Sequence, residues 1–195
     1  MQRFRWSVAL VLAALAAFCA LPMPSRADPQ REPELKVLLQ RIIGTSGCFA
    51  DKFDSEVWYK TMEPRLARLV SSHEVRVEIL DHVYCEAGRD PGLKIPPDLV
   101  LALIEVESRF DPWAVSPAGA VGLMQVMPFW PRELGVANQL VRVEPNIRIG
   151  CEILRYYLRA EKLNWARALA RYNGSPGRSA YPALVMQRWE KAWRF

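Results

Sequence analysis

The segment Leu101-Ala-Leu-Ile-Glu-Val-Glu-Ser108 ends an apolar, helix-patterned run in two carboxylates, Glu105 and Glu107, and a hydroxyl, Ser108. Apolar surroundings disfavour the charged form of a carboxyl group and raise its pKa. A glutamic acid that stays neutral at pH 7 can donate a proton to a leaving oxygen, the step that breaks a glycosidic bond. Residues two apart on a helix point ~200° apart around its axis, so Glu105 and Glu107 cannot share one cleft. That excludes them as the facing pair of a two-carboxylate glycosidase. Periodicity alone does not choose between them. Asp111, four residues after Glu107 and followed by Pro112, reads as a loop-fixing residue rather than a nucleophile. No Cys-x-x-Cys or His-x-x-x-His spacing occurs, and His73 and His82 read as helix-surface residues, so neither a metal nor another cofactor is expected.

These residues need a helical frame. Trp58, Met62, Leu66 and Leu69 recur at spacings of 4, 4 and 3, which predicts a helix over 54–70. Val75, Ile79, Val83 and Ala87 repeat the pattern up to Gly88, a natural helix terminator. Pro96 and Pro97 open the helix that carries Glu107. Residues 109–121, with Pro112, Pro117 and Gly119, read as a loop, and Pro128 and Pro131 break up the stretch after Gln125. Ile147, Cys151, Leu154 and Leu158 predict a helix over about 145–162; Trp165, Leu169 and Tyr172 mark the next. A loop at 173–177 leads to a last helix reaching Trp189 or Trp193. Leu35 to Ile43 is a further short helical candidate. Alternating strand patterns are lacking, so the expected class is mainly α, with helices around one core.

The 195 residues suit one domain with an N-terminal extension. Arg3 and Arg5 precede an apolar run from Val8 to Leu21, short of the ~20 residues that span a bilayer. Ser25-Arg-Ala27 supplies small residues where a signal peptidase cuts. The reading is a signal peptide over 1–27, a helical extension over 28–79 and the main domain over 80–195. It implies a periplasmic or secreted protein with no stable membrane insertion after cleavage. Losing residues 1–27 takes three arginines and no acid, leaving 23 basic against 21 acidic side chains. With no basic run of five or more, nucleic acid is not an expected partner. Export would put Cys48, Cys85 and Cys151 in an oxidising compartment, where three thiols allow one bridge and one leftover.

Four ordered motifs over residues 80–195 resemble the soluble lytic transglycosylases, the lysozyme-like enzymes that cut bacterial peptidoglycan. They are Ile104-Glu-Val-Glu-Ser-Arg-Phe-Asp-Pro112, Ala114 to Ala120 with Val121-Gly-Leu-Met-Gln-Val-Met-Pro128, Asn146-Ile-Arg-Ile-Gly150 with Leu154, and Arg171-Tyr-Asn-Gly174. The chain departs from the family where many relatives show Tyr-Asn-Ala-Gly and it has Tyr172-Asn-Gly-Ser-Pro. The resemblance selects Glu107, which directly precedes a serine, as the acid and then base. It implies that Ser108 orients the substrate or the carboxyl and that Gln125 hydrogen-bonds the sugar. Met124 would line the apolar floor, although it is as easily plain core. Tyr172 would place its hydroxyl near the Glu107 carboxyl, and Asn173 would hold sugar or loop. It further implies a lysozyme-like helical domain, peptidoglycan strands as substrate, a 1,6-anhydro product and a Cys48–Cys151 disulfide. Cys48–Cys85 is the second choice of bridge. Two other readings remain open here: a goose-type lysozyme-like hydrolase, and a non-catalytic wall-binding or assembly protein on the same fold.

Overall fold

The computed structural model describes residues 52–133 and 139–195. Helix α1 is Lys52–Leu66, α2 His73–Gly88, α3 Pro97–Ser108, α4 Phe129–Glu133, α5 Val143–Ala160, α6 Trp165–Tyr172 and α7 Ala180–Arg188. A wider helical turn, Trp189–Trp193, continues α7. The mainly α class expected from the periodicity is what the chain adopts. Among the described residues the only β-type pairings are isolated bridges, Val115 with Val121 and Val121 with Val126. No described helix is long and apolar enough to cross a membrane.

Helix α3 is the central element. Leu99 through Ile104 are all buried, so the helix is wrapped on every side rather than on one stripe. Pro97 sits in its first turn, where a missing N–H costs nothing. Helix α2 crosses it after a serine cap: the Ser72 side chain accepts from the Val75 amide at 3.3 Å. Trp58, Met62 and Leu66 of α1 are fully buried in the same core, and the Trp58 indole donates to the Leu80 carbonyl at 3.2 Å. Residues 52–79 therefore belong to this core. The division placed after residue 79 falls inside α2, which runs unbroken to Gly88.

Two polar devices lock the bundle. Arg155 of α5 is fully buried and bonds Glu152, the carbonyls of Glu86 and Ala87 (3.0 Å for Ala87) and that of Leu93 at 3.2 Å. A buried guanidinium is tolerable only when its donors are satisfied in this way. The chain's end forms the second. The Trp189 indole donates to Asp98 at 2.7 Å, the Phe195 amide to the same carboxylate at 3.0 Å, and the Trp193 indole to Glu105 at 2.7 Å. Trp189 and Trp193 thus tie the end of α7 and its continuation to α3.

The expected Cys48–Cys151 bridge is not what the structure holds. Cys151 is a free thiol, fully buried on the inward face of α5, with burial pushing its pKa up to about 12. Of the two described cysteines, Cys85 is the disulfide-bonded one. Helix periodicity explains the correction: Cys151 shares its inward face with Ile147 and Leu154. The signal segment 1–27, Cys48 and the helical candidate at 35–43 also lie outside the described residues.

Candidate active site

Glu107 lies in the last turn of α3, where the helix leaves the core and its side chain becomes half-buried. The helix ends on two successive non-glycine residues in the left-handed region, Arg109 at φ 54° and Phe110 at φ 66°. Such residues cost of order 1–3 kcal/mol each and persist only where their surroundings hold them. Burial of Phe110, with its ring 5.4 Å from that of Trp193, holds this turn. The reversal sends the chain into the 111–126 loop, which folds back beside Glu107.

Burial raises the Glu107 pKa to about 7, and a hydrogen bond from the Tyr181 hydroxyl opposes part of that rise. The second carboxylate is elsewhere. Glu105 faces the C-terminal segment and is bound by Arg188 and Trp193, as the helical geometry requires. Asp111 accepts the Trp113 amide at 2.8 Å, the loop-fixing role read from its position. Among the described residues no group of three or more acids, histidines or cysteines could hold a metal ion. The site therefore presents one carboxyl group whose proton is held near neutrality, which equips it to donate and then to accept.

Ser108, Met124, Gln125 and Tyr172 converge on the loop beside this acid. The Ser108 hydroxyl lies 2.8 Å from the Leu123 carbonyl and 3.2 Å from that of Ile104, pinning the loop to the helix end. The Gln125 amide donates to the carbonyls of Gly122 at 3.0 Å and Ala114 at 3.2 Å. Gln125 itself is left-handed, at φ 49°. Tyr172 departs from the expected arrangement: its hydroxyl donates to the Met124 carbonyl at 2.7 Å rather than to the carboxyl. It is nonetheless close enough for the Glu107 charge to help burial push its pKa up. Asn173 is exposed at the end of α6 and accepts from the Ser175 hydroxyl at 3.2 Å.

Two participants are new. Asn146, the first residue of the third motif, is fully buried and organises the loop from α5. Its Oδ1 accepts the Met124 amide at 2.7 Å, and its Nδ2 donates to the carbonyls of Val121 and Leu140, each at 2.8 Å. Gly122, at φ 78°, leaves room for this side chain; a Cβ there would lie 2.5 Å from Nδ2 and 2.3 Å from the Leu140 oxygen. One helical turn on, Gly150 gives Met124 its seat, since a Cβ would lie 2.6 Å from the Met124 sulfur. Tyr181 is the second newcomer. It opens α7, 74 residues from the carboxyl it contacts, and no periodicity links the two. Burial and the Glu107 charge hold its own pKa well above the usual tyrosine value, so it remains a donor.

Residues 89–187, half of the chain, match the model of the transglycosylase SLT domain. The chain belongs to this family. The chain is 35% identical over 96 residues to the soluble lytic murein transglycosylase of Escherichia coli K12. That match takes in 45% of this chain and only 15% of the relative's length. A transglycosylase of Enterobacteria phage PRD1 is 35% identical over 101 residues, 48% of this chain and 37% of the phage protein. Among solved structures, the lytic transglycosylase Slt of Pseudomonas aeruginosa is similar at 21% identity and a TM-score of 0.44. It covers 72% of this chain and 27% of the other.

Two substitutions separate the tyrosines. Tyr172→Phe removes one neutral hydrogen bond, typically ~0.5–1.5 kcal/mol. The expected result is a thermal midpoint lowered by a few degrees and turnover reduced several-fold, with the pH profile in place; calorimetry and rate measurements check both. Tyr181→Phe removes a donor to a carboxylate, worth ~1.5–3 kcal/mol. That donor favours the ionised form, so its loss raises the Glu107 pKa further. The falling limb of the pH–rate profile should move upward by roughly one to two pH units. A profile unchanged from wild type would remove Tyr181 from the acid's environment.

Proposed function

We propose that this SLT-domain protein is a peptidoglycan lytic transglycosylase that cleaves the β-1,4 bond between N-acetylmuramoyl and N-acetylglucosaminyl residues. The observation that carries the reading is Glu107: one carboxyl with a pKa near 7 at the mouth of the core, and no second acid acting on it. Protonated, it donates to the glycosidic oxygen as the bond breaks. With no facing carboxylate, the substrate's own N-acetyl carbonyl stabilises the developing cation, the substrate-assisted variant of glycoside cleavage. Glu107, now ionised, takes the proton from the 6-hydroxyl of the same muramoyl sugar. That oxygen bonds to the anomeric carbon and closes the 1,6-anhydro ring. The carboxyl ends as it began and no water is consumed.

In this account Tyr181 steadies the carboxylate between the two steps. Met124 forms the apolar floor over Gly150, and Gln125 and Asn173 meet the sugars. Ser108 and Tyr172 act through the loop backbone they hold. Incubation of the purified protein with isolated peptidoglycan tests the reading: soluble muropeptides should be released by wild type. Tight binding without release would identify a wall-binding protein instead.

The protein is proposed to work in the periplasm or outside the cell, where the oxidised Cys85 would persist. Cys48 is the proposed partner. Peptide mapping without reduction should recover Cys48 joined to Cys85 and Cys151 as a thiol; a Cys48–Cys151 peptide would reject this pairing.

A further inference from the structure

On the side of α3 turned away from Glu107, the end of α1 and the C-terminal turn frame an open cavity of about 430 Å³. Such a volume lies in the range of small-ligand sites, about 300–1,000 Å³. Its charged lining is Arg65, Arg68, Arg188, Lys191 and Arg194 against Glu105 and Glu190. Both acids are already engaged, Glu105 by Arg188 and Glu190 by Arg194. Arg65 donates to the carbonyls of Ala192 (3.4 Å) and Arg194 (3.0 Å) and has no acid within ion-pair distance among the described residues. Arg68 and Lys191 are exposed and have no acid within ion-pair distance among the described residues. Three positive charges thus remain around one cavity. Leu69, 40% exposed, adds an apolar side chain to the wall.

We propose that this cavity binds an acidic segment of a partner protein, with spaced carboxylates flanking an apolar side chain. A phosphate would need several donors converging on one point. Here the unpaired cations come from separate elements, Arg65 in the last turn of α1, Arg68 just after it and Lys191 in the C-terminal turn, with Leu69 next to Arg68. That layout suits single charges distributed along a peptide. Because the site faces away from Glu107, occupancy leaves the cleft open, and the inference stands apart from the proposed catalytic activity.

The test is fluorescence anisotropy of a labelled short peptide of alternating glutamate and leucine, beside its glutamine analogue, with the full chain at low ionic strength. Wild type should bind the acidic peptide saturably, and binding should weaken with added salt. The glutamine analogue should not bind. Arg68→Glu combined with Lys191→Glu should lose at least roughly ten-fold in affinity, since like charges now face the ligand. Both positions are exposed, and circular dichroism checks that the fold is kept. Glu107→Gln should bind as wild type does. Equal binding by the double variant would overturn the site. Equally effective competition by inorganic phosphate would show a general anion site, and by purified wall muropeptides a wall contact; either result would overturn the partner-peptide assignment.

Discussion

Glu107→Gln should abolish peptidoglycan cleavage while leaving the fold and glycan binding intact. Glutamine keeps the size and polarity of the side chain but can neither give nor take the catalytic proton. Acid–base help from one group is typically worth ~10²–10⁴-fold. Here the same group serves both halves of the reaction, so the loss should reach the upper end or beyond. The variant should also reveal the energetic cost of the site. A carboxyl whose folded pKa is raised to about 7 stabilises the protein fully only below its unfolded value, and that stability is lost as pH rises through 7. Wild type should therefore lose thermal stability between pH 5 and 8, and Glu107→Gln should lose less. Parallel melting curves across that range would contradict the buried-acid account. Glu105→Gln is expected to stay active but to be less stable, because Glu105 holds Arg188 and Trp193 rather than substrate.

Asn146→Ala should be nearly as damaging without touching the acid. It takes the acceptor from the Met124 amide and one hydrogen bond each from the Val121 and Leu140 carbonyls, of which Val121 keeps the Val126 amide. A buried donor left unsatisfied costs ~1–3 kcal/mol and each further lost hydrogen bond ~0.5–1.5 kcal/mol, so about 3 kcal/mol of stability should go. For a chain of this size that corresponds to a midpoint lowered by roughly 6–12 °C. Turnover should fall at least a hundred-fold even where the variant is folded, because a misplacement of ~1 Å in positioning groups can cost that much. The expected signature is a lost rate with the Glu107 pH limb unmoved. Near-normal turnover in a folded variant would show that the loop does not need this anchor.

The frame around the acid was legible because it rests on local pattern. Val75 to Ala87 and Ile147 to Leu158 carry the 3.6-residue repeat, and α2 and α5 lie within two residues of the expected bounds. The divergence of Glu105 and Glu107 followed from helix geometry alone. What sequence spacing could not supply was the identity of partners across the fold. Ser108 and Tyr172 looked like groups for the carboxyl or the sugar, but their hydroxyls meet carbonyls 15 and 48 residues away. Tyr181 sat in an aromatic-rich terminal stretch with nothing local to single it out. Asn146 was visible as part of a motif, yet its purpose needs three partners from two other segments. The Cys48–Cys151 pairing that the resemblance implies fails because Cys151 points inward from α5 as a buried free thiol.

Mass analysis of muropeptides released in ¹⁸O-water tests whether Glu107 alone completes the reaction without water. Wild type should release 1,6-anhydro ends, each one water lighter than a reducing end and free of ¹⁸O, and Glu107→Gln should release none. Reducing ends carrying ¹⁸O would contradict the water-free route and identify a lysozyme-like hydrolase.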